Sequence, residues 1–419
     1  MRILVIGNGG REKALAWRLA MCPGVERVHA PWTGDFEACA RFCRDNNIDL
    51  LVVGPEGPLI DGIADYVHAH CPDTAVFGPD SAAARLEGDK AWAKEFMMRH
   101  GIPTAPHTVV DADTYDDGCR FLAAGKPPYV LKATGPAGGK GTVICHDYNE
   151  AADMMWQMLD GKFGNASRRV VIERFLDGRE CSVFVITDGT GRYVTLPVAK
   201  DYKRAGDGDS GPNTGGMGSV SPVPFVTPQV MEAIDSCIVQ PTVQGLADDG
   251  IQYRGVIYFG LIVNADGVHV LEYNVRFGDP ETQSMVMRTA GNLASVMAHA
   301  AQGCLSDSDS LHALDDAAVT VVVARSGYPG ATPGPGDDVD DTMSLADGAT
   351  DGVMLWDNGT APGADGLPTP LTGVGRAYNV VATGQSLDDA VGAAYDALRR
   401  ARVGKRLRFR NDIGADVIG

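Results

Sequence analysis

The sequence predicts a multidomain protein of the α/β and α+β classes that begins with a doubly wound parallel sheet. Three observations support this prediction. The chain has 419 residues, enough for roughly two to four domains. Strand-like and helix-like stretches alternate over residues 1–101. Beyond Gly101 and Pro103, which end the last helical stretch, paired strands become more frequent.

The amino-terminal domain is predicted over residues 1–102. We expect its strands at Arg2–Ile6, Arg27–Ala30, Asp49–Val53 and Ala75–Phe77, and its helices at Arg11–Met21, Phe36–Asn46, Pro58–Ala69 and Ser81–His100. A dinucleotide-binding fold is the alternative for this segment. That fold requires an acidic residue at the end of the second strand, and "RVHAPWTG" offers none there.

A central α+β domain is predicted over residues 103–312. One antiparallel pair of strands is expected near residues 129–145. A second is expected in "GVIYFGLIVNADGVHVLEYNVRFG", where Asn264–Gly267 turns the chain back. A small β-rich domain follows over 313–419, with a strand at Val319–Ala324 and an amphipathic helix at Ser386–Arg402.

Composition excludes several classes of protein. A net charge of −18 argues against a nucleic-acid or anionic-membrane surface. No apolar run approaches the roughly 18–20 residues that a membrane span needs, and the start of the chain is too short for a signal-peptide core. Nine cysteines are scattered without a CxxC pair, which favours reduced thiols and a cytoplasmic location.

"VLKATGPAGGKGTVI" (130–144) is similar to a P-loop but fails the Walker A template. Three residues, not four, separate Gly135 from Gly139, and Gly141 replaces the Ser or Thr that follows the lysine. The flanking strands predict a β-hairpin flap instead. Its glycines, at 135, 138, 139 and 141, would let backbone N–H groups close over phosphate, with Lys132 and Lys140 supplying charge. A surface hairpin with solvated lysines is the alternative.

In "VLEYNVRFGDPETQ" (270–283), Glu272, Asn274 and Arg276 alternate with apolar residues and so are predicted to share one strand face. A carboxylate beside an amide oxygen suits Mg²⁺, and Arg276 can pair with a carboxylate or phosphoryl oxygen. The loop "KDYKRAGDGDSGPNTGGMGSVSP" (200–222) is long enough to predict a functional role. Its candidate contacts are Asp201, Asn213, Thr214, Gly215, Gly216, Met217 and Gly218.

"VVIERFLDGRECSV" (170–183) resembles a hinge that holds adenine between two subdomains. Backbone groups near Phe175 and Leu176 would pair with the ring edge, and Glu180 would accept hydrogen bonds from the ribose. Solvated surface carboxylates at Glu173 and Glu180 are the alternative.

Together these motifs make the chain resemble the ATP-grasp ligases, and most closely the phosphoribosylamine–glycine ligase family. The resemblance runs nearly end to end. It is carried by "IGNGGRE" (6–12), "VVGPEGPL" (52–59), "FGPDSAAARLEGDKAWAKEFM" (77–97), "GPNTGGMGSVSP" (211–222), "RFGDPETQ" (276–283) and "GYPG" (327–330).

The resemblance implies a central ATP-grasp domain with a mobile lid subdomain at about 115–178. It also implies a reaction in which ATP activates glycine as glycyl phosphate for attack by phosphoribosylamine. It implies Mg²⁺ or Mn²⁺ at Glu272 and Asn274, and catalytic roles for Arg276, Lys140 and Asp201. ATP would contact Lys132, Gly138, Gly139, Lys140, Glu173, Phe175, Leu176 and Glu180. The ribose phosphate would lie at the amino end of the first helix. Substrate contacts are expected at Gly9, Gly10, Arg11, Glu12, Asp279 and Asn213–Gly218. We expect small-molecule substrates, no nucleic-acid or membrane partner, and a monomer.

The chain departs from the family pattern mainly on the amine side. Lys13 and Tyr202 stand where histidines are expected, and a Pro-Gly-Asn loop with about twenty following residues is reduced to "APWTGDFEACARF". The flap also has Thr134 and Pro136 in place of an expected Asp and Leu. Two alternatives therefore stay open: a related ligase that uses another amine, and a nucleotide-binding regulator without turnover.

Overall fold

We describe the fold from a computed structural model, which covers residues 1–32, 34–138, 140–330, 342–345, 352–362, 368–370 and 375–418. Among the helices of these segments, none combines the length and the apolar character that a membrane span requires.

The amino-terminal unit is a parallel sheet with helices packed against it. Its strands follow the order β2-β1-β3-β4, so the chain crosses back over β1, as in a doubly wound sheet. The predicted sheet is confirmed. Its elements are β1 (Arg2–Ile6), α1 (Gly10–Ala20), β2 (Arg27–Trp32), α2 (Phe36–Asn46), β3 (Leu50–Val53), α3 (Glu56–Ile60), α4 (Ile63–His70), β4 (Ala75–Phe77), α5 (Arg85–Gly88) and α6 (Lys90–Arg99).

Two predicted helices of this unit are each divided in two. The helix expected over Pro58–Ala69 breaks at Gly62, whose φ of 88° lies in the left-handed region. The helix expected over Ser81–His100 breaks at Asp89, where the backbone is extended and the carboxylate accepts from Ala91 N and Trp92 N. Asp89 thus caps α6 and starts a new helix axis.

A small antiparallel unit follows, with strand order β5-β8-β6-β7. It comprises β5 (His107–Val110), α7 (Tyr115–Ala123), β6 (Tyr129–Ala133), β7 (Thr142–Cys145), α8 (Tyr148–Gln157) and β8 (Val170–Arg174). Strands β6 and β7 form the predicted hairpin, with Lys132 opposite Thr142. The unit has a hydrophobic core of its own, which includes Leu122, Leu131 and Ile172.

The main central sheet has the order β10-β9-β15-β16 and is antiparallel. The predicted turn between β15 and β16 is confirmed, with Asn264 paired to Gly267. Residues 179–313 contain β9 (Arg179–Thr187), β10 (Tyr193–Thr195), β11 (Lys200–Asp201), β12 (Arg204–Gly206), β13 (Ser210–Asn213), β14 (Gly218–Ser221), α9 (Pro228–Ile234), α10 (Gln240–Asp248), β15 (Gly255–Asn264), β16 (Gly267–Asn274), α11 (Glu281–Met287), β17 (Thr289–Ala290), α12 (Leu293–Gln302) and β18 (His312–Ala313).

The carboxy-terminal sheet takes two strands from the middle of the chain. Its order is β11-β14-β19-β24-β21, so β11 and β14 pair into it ahead of residue 313. The predicted helix is confirmed as α13, capped by Ser386. The elements are β19 (Ala317–Arg325), β20 (Met343–Ser344), β21 (Val353–Asp357), β22 (Thr360–Pro362), β23 (Pro368–Pro370), β24 (Arg376–Gly384), α13 (Leu387–Arg400), β25 (Arg402–Val403) and β26 (Leu407–Arg408).

The amino-terminal unit shares its cores with the main central sheet. One buried cluster joins Leu51 and Val67 to Val183 and Phe259. Another joins Val5 and Leu15 to neighbours such as Phe184 and Met285. These two units therefore pack as one body. The domain boundaries proposed at 102 and 312 stay predictions.

Candidate active site

A buried carboxylate lies between two lysines where the small antiparallel unit meets the main central sheet. Lys132 Nζ is 2.9 Å from Glu173 Oε2, and Lys94 Nζ is 2.9 Å from Glu173 Oε1. Lys132 also donates to the Leu271 carbonyl at 2.8 Å, and Lys94 to Thr104 Oγ1 at 2.6 Å. All three charged side chains are buried. Two cations against one anion leave a positive charge that suits phosphate.

Burial and charge set the ionisation of this cluster. Burial opposes ionisation of Glu173, but Lys132 and Lys94 outweigh it and hold its pKa below the ordinary value. Burial lowers the pKa of Lys94 to about 8, with Glu173 opposing the shift and Lys132 adding to it. The alternative of a solvated surface carboxylate at Glu173 is therefore wrong.

The flap loop uses part of its backbone internally. Gly135 N donates to Ala166 O at 2.9 Å, so the prediction that this amide closes over phosphate is wrong. Gly138 has a φ of 57° and is exposed, with no atom within 4 Å of an added Cβ. Lys140 is exposed on the same loop. Gly139 lies outside the described residues.

The predicted hinge connects the small antiparallel unit to the main central sheet. Phe175 and Leu176 lie between β8 and β9, and the Phe175 side chain is 40% exposed. A bound ring system would cover such an aromatic side chain. Glu180 is the second residue of β9, and its Oε2 lies 3.3 Å from Lys203 Nζ.

The carboxylate of Glu272 is not bound by another side chain or by the backbone in the described part of the chain, where it forms no hydrogen bond or ion pair. Burial opposes its ionisation, but Lys203, Lys132, Lys90 and Arg276 outweigh that effect and hold its pKa below the ordinary value. The carboxylate is therefore ionised and available to a ligand.

Arg276 extends past the end of β16 and is engaged by two carboxylates. Its Nε is 3.3 Å from Glu56 Oε2, and its Nη2 is 3.5 Å from Glu87 Oε1. It also donates to Asn274 Oδ1 at 3.1 Å. Burial opposes the charge, but Glu87 and Glu56 raise the pKa of Arg276 above its ordinary value. The predicted strand face thus ends at Asn274, because the strand ends there.

A divalent cation fits Glu272 and Asn274 by donor chemistry. Both supply hard oxygens, and Asn274 Oδ1 keeps a second lone pair beside its bond from Arg276. Over the described residues, no group of three or more His, Cys, Asp or Glu side chains forms a metal cage. A cation would therefore need phosphate or water oxygens as well, which is typical of Mg²⁺.

Asp201 and Lys203 form a second charged pair in the same cleft. Lys203 Nζ lies 3.8 Å from Asp201 Oδ1. Burial raises the pKa of Asp201 to about 7, with Lys203 opposing and Glu281, Glu180 and Glu272 adding to the shift. Asp201 is therefore a carboxyl group that can exchange a proton near neutral pH.

The first turn of α1 is organised by Glu12. Gly9 N donates to Glu12 Oε2 at 2.7 Å, and Arg11 Nε donates to Glu12 Oε1 at 2.6 Å. Arg11 is buried and also donates to the Phe277 carbonyl at 3.0 Å. The Gly9 amide and these Arg11 groups are thus already used within the fold. The prediction that they reach a ribose phosphate requires rearrangement of this turn.

Asp279 joins two motifs that are distant in sequence. A Cβ built on Gly9 would lie 3.7 Å from Asp279 Oδ2. The same carboxylate oxygen is 3.1 Å from Arg376 Nη2, and Oδ1 accepts from Gln283 Nε2 at 2.7 Å. Burial opposes ionisation, but Arg376 and Arg11 hold the pKa of Asp279 below its ordinary value.

Several backbone amides of the 213–218 stretch already donate hydrogen bonds within the protein. Gly215 N donates to Tyr328 Oη at 2.8 Å, Gly216 N to Thr214 Oγ1 at 3.0 Å, and Met217 N to Tyr202 O at 2.8 Å. These three amides are not free for a ligand, and Met217 and Gly218 are buried. Asn213 is exposed. Their substrate roles stay predictions.

Two of the residues that depart from the family pattern, Lys13 and Tyr202, contact the carboxy-terminal unit. Lys13 Nζ donates to Asp357 Oδ1. Tyr202 is buried, and its hydroxyl donates to Asp416 Oδ1 at 2.5 Å. Neither side chain is therefore directed at the Glu272 cleft by its contacts.

Sequence reasoning missed several charged residues of the site. Lys203 is two residues from Asp201, and that spacing gives a signal that both side chains share a face. Lys94, Glu56 and Glu87 belong to quoted motifs but gave no local signal, because their partners lie far away in sequence.

The assembled cleft can bind a polyphosphate and neutralise it. Lys132, Lys94 and Lys203 supply cations, while Glu272 and Asn274 offer metal ligands. Chemistry in such a site depends on positioning and charge stabilisation.

The chain matches three domains of one protein family. Residues 1–87 match "Phosphoribosylglycinamide synthetase, N domain", residues 88–282 its "ATP-grasp (A) domain", and residues 318–416 its "C domain".

Curated relatives and solved structures agree. A phosphoribosylamine–glycine ligase of Rhizobium meliloti is 39% identical, covering 99% of this chain and 98% of the relative. One from Streptomyces coelicolor is 40% identical, covering 100% of both chains. The crystal structure of the Thermotoga maritima ligase superposes with a TM-score of 0.81 at 29% identity, covering 99% of this chain and 100% of that one. A biotin carboxylase domain from Hydrogenobacter thermophilus, with MgADP, shares the fold at 16% identity and a TM-score of 0.72, covering 97% of this chain and 91% of that one.

Proposed function

The chain belongs to the phosphoribosylglycinamide synthetase family, and from that premise we propose that it joins glycine to 5-phosphoribosylamine at the expense of ATP. It is an ATP-dependent carbon–nitrogen ligase of purine biosynthesis. The observation that carries this proposal is the Glu272 carboxylate, ionised, uncommitted and surrounded by Lys203, Lys132, Lys90 and Arg276. That arrangement suits a metal–nucleotide complex.

The reaction has two displacements. A carboxylate oxygen of glycine attacks the γ-phosphorus of ATP, the bond to the β-phosphate oxygen breaks, and ADP leaves. The amine nitrogen of phosphoribosylamine then attacks the carbonyl carbon of glycyl phosphate. Inorganic phosphate leaves, the nitrogen loses a proton, and the amide remains. No protein nucleophile is needed, so the residues act by binding and by charge.

ATP is proposed to bind between the small antiparallel unit and the main central sheet. Its adenine would cover Phe175 and Leu176 at the hinge, and Glu180 would accept from the ribose hydroxyls. Lys132 and Lys94, held around Glu173, would face the phosphates, and the loop with Gly138, Gly139 and Lys140 would close over them. The net positive Lys–Glu–Lys cluster supports this orientation.

Glu272 and Asn274 would hold Mg²⁺ or Mn²⁺, which neutralises phosphate charge when bound. Arg276 is held near them by Glu56 and Glu87. We propose that it stabilises negative charge on the transferred phosphoryl group after exchanging one of these partners.

Asp201 is proposed to accept the proton that the amine nitrogen loses. Its raised pKa, about 7, lets it hold that proton near neutral pH. Lys203 beside it would keep the resulting charges balanced. Asn213 and the 214–218 segment would border the glycine subsite.

The amine substrate is proposed to lie beside Gly9–Glu12, with Asp279 at its border. Lys13 and Tyr202 are bound by Asp357 and Asp416. Because these departures have packing partners of their own, they give no positive support to a different amine.

The test is ADP release from purified enzyme with ATP, Mg²⁺, glycine and freshly generated phosphoribosylamine. We expect turnover that needs all four components. ADP release that ignores phosphoribosylamine but responds to another amine would establish the related ligase instead. ATP binding without turnover for any amine would establish the non-catalytic regulator.

The expected monomer and cytoplasmic location are also proposals. Light scattering coupled to gel filtration tests the first, and fractionation of source cells tests the second.

A further inference from the structure

Helix α1 is fastened to the carboxy-terminal unit by an ion pair that the proposed reaction does not use. Lys13 Nζ donates to Asp357 Oδ1, at the end of β21. The two side chains are 18% and 24% exposed, so the pair is largely shielded from solvent. Charges that are shielded from water attract each other more strongly than exposed charges, so this pair constrains the helix more than an exposed pair would.

The same turn of the carboxy-terminal unit holds α1 at two further points. Gly359 N donates to the Asn8 carbonyl at 2.7 Å, just before the helix begins. Further along the helix, in its second half, the ring of Trp17 packs against that of Trp356, with the ring centroids 5.9 Å apart. The residues 356–359 therefore follow α1 over about two turns.

Two buried asparagine side chains of the carboxy-terminal unit pack against the start of the helix. A Cβ built on Gly10 would lie 2.2 Å from Asn379 Nδ2 and 2.4 Å from Asn358 Oδ1. These two amides bond each other at 2.9 Å. Such close packing leaves no room for the first turn to shift toward the carboxy-terminal sheet.

The ion pair lies one helical turn from the backbone assigned to the amine. Lys13 N donates to the Gly9 carbonyl at 3.2 Å, so a movement of Lys13 moves Gly9. Gly9 in turn borders Asp279. A small displacement there changes the shape of the amine subsite and leaves the Lys132–Glu173 cluster untouched.

We propose that Lys13 and Asp357 are positioning residues for the amine substrate. Their ion pair holds the first turn of α1 against the carboxy-terminal sheet and so fixes the position of Gly9–Arg11, beside which phosphoribosylamine is proposed to bind. This inference rests on the proposed function, because it takes the amine to bind beside that turn.

The test uses the full-length enzyme and three variants: Lys13→Met, Asp357→Asn, and the charge swap Lys13→Asp with Asp357→Lys. Arg99→Met is the control for loss of an ion pair between elements outside the proposed site, because Arg99 pairs with Asp249 between α6 and the end of α10 and is more exposed than Lys13. Steady-state kinetics with each of the three substrates is combined with hydrogen exchange of peptides that contain residues 6–15.

We expect either single variant to raise the KM for phosphoribosylamine about tenfold. The KM values for ATP and glycine should stay within about twofold, and amide exchange in the first turn of α1 should become faster. The charge swap should recover most of the lost affinity, and Arg99→Met should change none of the KM values.

Three results would overturn the proposal: an equal rise in all three KM values, faster exchange without a change in the KM for phosphoribosylamine, or no recovery in a folded charge-swap variant. Failure of the proposed function has a different signature, because the unaltered enzyme would then release no ADP in response to phosphoribosylamine.

Discussion

At the scale of single residues, ionisation in this cleft depends on surroundings more than on residue type. Glu272 and Asp201 are both half-buried carboxyl groups. Four cations hold the pKa of Glu272 below its ordinary value, whereas burial and neighbouring carboxylates raise that of Asp201 to about 7. One group is thus suited to binding a cation and the other to accepting a proton.

The metal assignment predicts the effect of Glu272→Gln. We expect kcat to fall roughly 100-fold or more, because a lost metal ligand removes several kcal/mol of charge stabilisation. Glu232→Gln is the control, since it makes the same chemical change at an exposed position of α9. ADP release and circular dichroism are measured for both. Activity of Glu272→Gln within a few fold of the unaltered enzyme would remove Glu272 from the metal site.

The proton assignment predicts a pH profile. Asp201 accepts a proton only in its deprotonated form, so kcat/KM for the amine should rise as pH increases through about 7. Asp201→Asn should lose this rise, while Asp266→Asn at the exposed β15–β16 turn should keep it. The ionisation of the amine itself is common to all three enzymes. An unchanged profile in Asp201→Asn would show that another group takes the proton.

At the scale of elements, helix α1 illustrates how a local motif is completed from elsewhere. Its Gly-Gly-Arg-Glu start forms its own cap through Glu12. The position of that cap is set by the Phe277 carbonyl, three residues beyond β16, and by the side-chain amides of Asn358 and Asn379 in the carboxy-terminal unit. A glycine is needed at position 10 because these side chains occupy the space of a Cβ.

This packing predicts that Gly10→Ala destabilises the protein. We expect a loss of about 1–3 kcal/mol in the free energy of unfolding, because the added methyl group would overlap Asn379 and Asn358. Gly57→Ala in α3 is the control. No atom lies within 4 Å of its added Cβ, so the change should be neutral or stabilising by up to about 1 kcal/mol. Urea unfolding midpoints compare the two, and equal midpoints would contradict the packing argument.

At the scale of the whole molecule, the end of the chain supports the central loop. Arg410 is buried, with its guanidinium 2.8 Å from both Asp209 and Asp412, and it donates to the Arg204 carbonyl at 3.1 Å. Asp416 accepts from Tyr202. The carboxy-terminal segment thus fixes a loop that begins more than 200 residues earlier and borders the proposed glycine subsite.

The support from Arg410 predicts that Arg410→Met lowers the free energy of unfolding by about 2 kcal/mol and raises the KM for glycine, because several hydrogen bonds to a charged group are lost. Arg399→Met is the control, since Arg399 makes an exposed pair with Asp396 within α13. Thermal unfolding and glycine kinetics are measured for both variants. Equal effects of the two changes would show that the tail does not support the loop.

The sequence by itself determined what depends on local spacing. Alternation of strands and helices predicted the parallel sheet, period-two spacing predicted the strand with Glu272 and Asn274, and flanking strands predicted a hairpin instead of a P-loop. Each of these follows from neighbours within a few residues. The motifs were also sufficient to predict the family, because they are distributed along nearly the whole chain.

Only the tertiary structure decided which charges meet. Lys94 and Glu173 are 79 positions apart, so no local sequence pattern could pair them. Other ion pairs of the cleft, such as Arg276 with Glu56, also join residues that are distant in sequence. It also decided that Arg276 is held by Glu56 and Glu87, that the Gly135 amide is used within the fold, and that two predicted helices break. The physical reason is common to all: long-range packing determines burial, and burial determines which polar groups must find partners within the protein.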